Sequence, residues 1–223
     1  MSNLYPLLCL VALIGLPALI LGLLFGFLIK NSYQYRLMVN QNRGESYVRN
    51  VIVSKLHPPN FHLLNNVTLP FQDGTTQIDH ILISTKGIFV IETKDYSGWI
   101  IGDETSGQWT QVRYRFRNKF QNPLHQNYRH IKAVQQHLEF LPKQSIHSIV
   151  VFSGRAEFKS GVPKGVVYLS DLISYLEAFQ EDTISINRLH FCVGRLECKR
   201  YEITKATDIQ HRAYLAKKFG DAT

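Results

Sequence analysis

QIDHILISTKGIFVIETKDYSG, Gln77 to Gly98, is the stretch that decides how the chain folds. Two runs rich in β-branched residues, Thr76 to Ser84 and Gly87 to Thr93, meet at Ser84-Thr85-Lys86-Gly87, a tight-turn composition that predicts an antiparallel hairpin. With Thr85-Lys86 as the two loop residues, Asp79 stands directly opposite Glu92, Cβ atoms about 4.5–5.5 Å apart. With Lys86-Gly87 as the loop, Asp79 faces Lys94 and Glu92 becomes its diagonal neighbour. A three-residue loop breaks this alignment unless a bulge restores it. Both two-residue registers gather Asp79, Glu92 and Lys94 on one face of a sheet.

Two close carboxylates repel unless a cation lies between them, and Mg²⁺ is a hard ion held by one or two carboxylates, waters and a phosphate. A lysine two residues further along reaches the attacking water or the scissile phosphate, which outlines a hydrolytic phosphodiester site. The plainer alternative is a surface hairpin whose outer face carries a salt bridge.

Working outward, Gln41 to Leu56 reads as a helix with Val48, Val51, Ile52 and Leu56 on one face, stopped by Pro58-Pro59. Glu45 lies on its apolar side, where a solvated glutamate gains nothing. Strand character marks Phe61 to Leu69, Trp99 to Gly102, Trp109 to Phe116, Ser148 to Ser153 and Gly165 to Leu169. Asn122-Pro123 offers an N-cap followed by proline at the first helical position, opening a helix with Leu124, Tyr128, Ile131, Val134 and Leu138 inward and Gln126 and His130 one turn apart beside that stripe. Ser170-Asp171 caps a helix to Phe179, and a basic helix near Thr207 to Phe219 closes the chain. This order predicts an α/β domain with a mixed sheet flanked by helices.

Four motifs in this order resemble the nuclease-related domain (NERD) family, a branch of the PD-(D/E)xK restriction-endonuclease-like superfamily. They are Arg43-Gly44-Glu45, Gln77-Ile78-Asp79-His80, Ile91-Glu92-Thr93-Lys94, and Asn122-Pro123 followed by Gln126. The resemblance covers roughly residues 40–155 and leaves 156–223 as an extension expected to pack on the same domain. It implies a restriction-endonuclease-like mixed sheet, with Asp79 and Glu92 as ligands of Mg²⁺ (or Mn²⁺) and Lys94 assisting the attacking water. It implies further that Glu45 reaches the metal or orients a ligand, and that Gln126 positions water or phosphate. One departure is Ile78 in place of the proline that the superfamily motif names.

Arg113, Arg115, Arg117 and Lys119 alternate with Tyr114, Phe116 and Phe120, so a strand through them carries one cationic and one apolar face. Beside a phosphodiester site such a stripe neutralises backbone phosphates, DNA before RNA. Its competitors are a solvated edge strand and a face held against anionic lipid. Among the nine histidines no H-E-x-x-H pair occurs, and no P-loop, dinucleotide fingerprint or G-x-S-x-G is present.

Residues 5–29 contain no charged residue and are long enough to cross a bilayer as a helix. Nothing basic precedes them, whereas Lys30, Arg36, Arg43 and Arg49 follow. The reading is a single-pass anchor (1–30) and a linker (31–39), with the N-terminus outside and the domain cytoplasmic at the cell membrane. Cytoplasmic placement suits Cys192 and Cys198, read as two ordinary thiols. The 223 residues carry 25 basic and 17 acidic side chains, net +8, and are 45 % hydrophobic, which excludes a disordered or disulfide-built chain. All but one of the basic residues, Lys30, fall outside the anchor, so the charge excess belongs to the domain. The functional expectation is a membrane-anchored, metal-dependent nuclease, the alternative a catalytically silent nuclease-fold module that binds nucleic acid or a protein partner at the membrane.

Overall fold

The hairpin at the centre closes through Thr85-Lys86. In the computed structural model, which describes residues 21–22, 43–56 and 59–220, Ser84 pairs with Gly87 and the ladder runs to His80↔Ile91. This is the first of the two registers weighed above. The Ser84 hydroxyl ties the turn by donating to the Gly87 carbonyl and accepting from the Lys86 N–H. Gly87 has φ 141°, and a Cβ there would sit 2.8 Å from the Ser145 carbonyl oxygen, so glycine is required where the hairpin meets the next strand.

All elements described here lie within residues 41–223. Helix α1 (Arg43–Lys55) leads into β1 (Phe61–Phe71), β2 (Gly74–Ser84) and β3 (Gly87–Lys94), which pair antiparallel. β7 (Ile146–Phe152) and β9 (Val166–Tyr168) extend this sheet in parallel beyond β3, giving the order β1-β2-β3-β7-β9. Between β3 and β7 the chain builds β4 (Gly98–Ile101), β5 (Gln108–Arg113) and β6 (Phe116–Gln121), and then α2 (Pro123–His137). With β8 (Ala156–Phe158), the three strands form a second mixed sheet ordered β6-β5-β4-β8. The chain then runs through α3 (Leu172–Glu177), α4 (Ile186–Lys199) and α5 (Lys205–Phe219). The α/β class with a mixed sheet flanked by helices is as the sequence led one to expect; the second mixed sheet was not foreseen.

Alternation along β3 feeds two cores. Phe89 and Ile91 pack with Val48 and Ile52 of α1 and Leu172 and Leu176 of α3. Ile88 and Val90 pack on the other face with Ile131 and Val134 of α2 and with Leu189, Cys192 and Leu196 of α4. A third core joins the two sheets through Phe152, Trp109 and Ile100.

One irregularity positions the site. The inward residues of β1 are Leu64 and then Val67 and Leu69; those of β2 are Ile83, Ile81 and then Ile78. Both strands change phase between the pairs Asn65↔His80 and Val67↔Ile78, where Asn66 takes the left-handed φ of 50°. The β2–β3 ladder ends at the same level, leaving Asp79 outside the pairing.

Several expectations are corrected. Trp109–Phe116 is not one strand: the chain reverses at Tyr114 (φ 55°) and Arg115, and Arg113 pairs with Phe116. Arg113 therefore lies on the face of Trp109 and Phe120, Arg117 and Lys119 lie on the opposite face, and Arg115 stands at the tip, so there is no single cationic face. Tyr128 is exposed, because the stripe of α2 passes instead through buried Asn127. Helix α4 and strands β6 and β8 were not anticipated. Cys192 is buried, Cys198 is exposed and both are free thiols. The anchor expected at 5–29 falls outside the described residues apart from Leu21 and Gly22; among the described residues no helix is long and apolar enough to cross a membrane.

Candidate active site

Beyond Ile88 and Val90, the same row of β3 continues through Glu92 to Lys94, at the end where β2 has parted from it. Glu92 is buried and the Lys94 side chain is 15 % exposed. Helix α2 crosses this row because its start is fixed: Asn122 caps it through Leu124 N–H (2.9 Å), and its amide also donates to the carbonyls of Asp103, Glu104 and Ser106. Asn127 then locks the helix onto the sheet by donating to the carbonyls of Val90 and Ile149 and to the Ser148 hydroxyl. Gln126 and His130, one turn apart, are thereby held over the two charged residues.

The contacts form a chain. Lys94 Nζ donates to Glu92 Oε1 at 2.6 Å and to Gln126 Oε1 at 2.9 Å. His130 Nε2 lies 3.1 Å from Glu92 Oε2, and His130 Nδ1 lies 2.7 Å from Thr76 Oγ1 in β2. With a proton on Nε2 the ring donates to the carboxylate, and Nδ1 meets the Thr76 hydroxyl. Both oxygens of Glu92 are thus oriented by partners on a different element or two residues along.

Asp79, released from the ladder, accepts the Thr93 backbone N–H at 2.7 Å through Oδ2. Burial raises its pKa well above the ordinary carboxylate value, and the negative charges of Glu92 and Glu45 raise it further. Glu92 behaves oppositely: burial works against its charge, but Lys94 and the His130 hydrogen bond hold its pKa below the usual value. Lys94, too, resists burial, because the charge and hydrogen bond of Glu92 keep its ammonium above its ordinary pKa. Glu45 is buried in the first turn of α1.

Asp79, Glu92, Lys94 and Gln126 therefore come together, with Glu45 close enough to be felt by Asp79. Arg113, Arg115, Arg117 and Lys119 do not join them; they stand on the β5–β6 hairpin beside the site. Thr76 is a residue that sequence reasoning missed, and it carries no local signal. His130 was visible only as the residue one turn after Gln126. The acidic side chains here are oxygen donors, the kind a hard cation takes. Asp79 is a carboxylate whose charge its neighbours penalise. Among the described residues no group of three or more His, Cys, Asp or Glu side chains is arranged to hold a metal ion.

A family model described as nuclease-related domain matches residues 40–153. An uncharacterized protein of Bacillus anthracis is 36 % identical over 190 residues, covering 79 % of this chain and 84 % of the relative. No solved structure matches.

Proposed function

This chain belongs to the nuclease-related domain (NERD) family, and from that premise we propose that it is a membrane-anchored, Mg²⁺- or Mn²⁺-dependent nuclease of restriction-endonuclease-like fold that hydrolyses phosphodiester bonds, in DNA before RNA. The observation that carries the reading is Lys94, an ammonium held between Glu92 and Gln126 beside a carboxylate, Asp79, whose charge its surroundings disfavour.

Asp79 and Glu92 would hold the metal, with Glu45 supporting from α1. Bound there, the cation supplies neutralisation of the phosphate charge and a more acidic water. The other parts follow from this chain's own groups. Because Lys94 stays an ammonium, it donates rather than accepts protons, orienting the attacking water and meeting charge that develops on the phosphoryl oxygens. Gln126 commits its Oε1 to Lys94, which fixes the direction of the ammonium and leaves its amide N–H groups to donate to phosphate or water. His130, itself fixed by Thr76, keeps Glu92 turned toward the site. In this reading residues 5–29 anchor the protein in the cell membrane with the domain on the cytoplasmic side.

The test is cleavage of labelled DNA and RNA by the full chain in detergent, with Mg²⁺ or Mn²⁺ and with EDTA. Asp79→Asn and Lys94→Ala should each slow cleavage about a thousandfold. Cleavage that survives both substitutions refutes the site. Salt-sensitive DNA binding without any cleavage replaces the nuclease by a binding module of the same fold.

A further inference from the structure

The β5–β6 hairpin exposes its aromatic residues where an ordinary surface turn exposes polar ones. Tyr114 is 93 % exposed and Phe116 80 %. Between Gln108 and Gln121 the chain carries Arg113, Arg115, Arg117 and Lys119 and no acidic residue. The hairpin is also rooted in the candidate active site at both ends. Tyr96, two residues after Lys94, meets Phe120 edge to face at 4.6 Å, and Gln111 donates to the Ser97 carbonyl. At the other end, β6 runs directly into Asn122, the cap of the helix that carries Gln126. Phe116 lies on the same face of β6 as Phe120, so half-buried Tyr96 and Phe120 and exposed Phe116 form a row leading away from Lys94 toward the tip. β6 covers about 17 Å, the length of a few nucleotides.

We infer that this hairpin is a platform for unpaired bases: Tyr114 and Phe116 stack on bases of a single-stranded segment while the surrounding cations bind its phosphates. Base faces within a duplex are already stacked, so aromatic side chains at the tip gain nothing from an intact double helix. Four cations with no ion pair among the described residues match a polyphosphate strand. The inference rests on the proposed function in taking the bound polymer to pass Lys94, and it deepens that reading by naming single-stranded or frayed nucleic acid as the substrate class.

The experiment is fluorescence anisotropy of the full chain in detergent with EDTA, using a labelled single-stranded oligonucleotide, its duplex, and vesicles of anionic lipid as a separate arm. Tyr114→Ala/Phe116→Ala should weaken single-strand binding about tenfold or more and leave duplex binding nearly unchanged. Arg115→Gln/Arg117→Gln should weaken both and flatten the salt dependence. These side chains are exposed, so truncating them costs the fold little. Unchanged single-strand affinity in the aromatic variant overturns the inference, as does a loss confined to vesicle binding, which makes the hairpin a lipid contact. Tyr114-dependent binding without cleavage leaves the inference standing and removes the nuclease; cleavage with hairpin variants that bind normally does the reverse.

Discussion

His80 neighbours Asp79 in sequence yet serves the interior. It is fully buried in the row of Leu82, with Nδ1 2.8 Å from Asn65 Oδ1. Burial lowers its pKa from 6.5 to about 4, outweighing the pull of the Glu92 charge. Well above pH 6.5 the ring is neutral in both folded and unfolded chains and contributes no pH dependence. As pH falls from about 6.5 toward 4, the unfolded chain takes up a proton that the fold refuses, and stability drops by up to about 3 kcal/mol. His80→Gln should remove that part of the acid sensitivity, read as the difference between denaturant midpoints of the two proteins across this range. Equal acid dependence in both contradicts the assignment. At this scale the sequence was legible where chemistry follows local alternation: Glu92 and Lys94 share a face because they are two apart. Thr76 and His130 were not, because their 2.7 Å contact exists only once α2 is laid across β2.

Among the elements, α2 and the β5–β6 hairpin show where reading the chain succeeds and where it stops. Asn122-Pro123 announced the helix start, since a capping amide and a proline without an N–H are local devices. The helix face was misjudged by one residue. Apolarity favoured Tyr128, but the groove between the parallel strands β3 and β7 offers carbonyls that only an amide satisfies, and Asn127 takes that place. The hairpin was misread because Arg-Tyr-Arg-Phe lacks the glycine or asparagine that usually marks a two-residue turn, and Tyr114 accepts a left-handed backbone instead. Helix α4 had a faint signature in Ser185 as its cap and Leu189, Cys192 and Leu196 at helical spacing. Asn127→Ala should lower stability by about 2–4 kcal/mol, since it removes the amide that donates to two buried carbonyls and the Ser148 hydroxyl at the joint that aims Gln126 and His130. Guanidinium unfolding measures it, and a loss below about 0.5 kcal/mol would show that the joint is held by apolar packing alone.

Across the whole molecule, the family match ends at residue 153, but the packing does not. Leu172 and Leu176 complete one core and Leu189, Cys192 and Leu196 another. The Tyr201 N–H donates to the Thr68 carbonyl, and α5 reaches the β1–β2 turn through Tyr214 Oη to Asp73 and the start of β2 through His211 to Thr75. What this rigid frame holds in place is an electrostatic deficit: Asp79, Glu92 and Glu45 crowded together, with Lys94 offsetting part of their charge. Under the proposed function a divalent cation would supply the rest. This is tested by thermal unfolding at neutral pH of the full chain and of Asp79→Asn, each in EDTA and in millimolar Mg²⁺. Asp79 has a raised pKa in the fold, so its ionisation at neutral pH costs stability in the cation-free protein, and Asn relieves that cost. Asp79→Asn should melt higher than the unsubstituted protein in EDTA, and Mg²⁺ should raise the melting temperature of the unsubstituted protein but scarcely that of the variant. A variant that melts lower in EDTA, together with an unsubstituted protein indifferent to Mg²⁺, would contradict this reading.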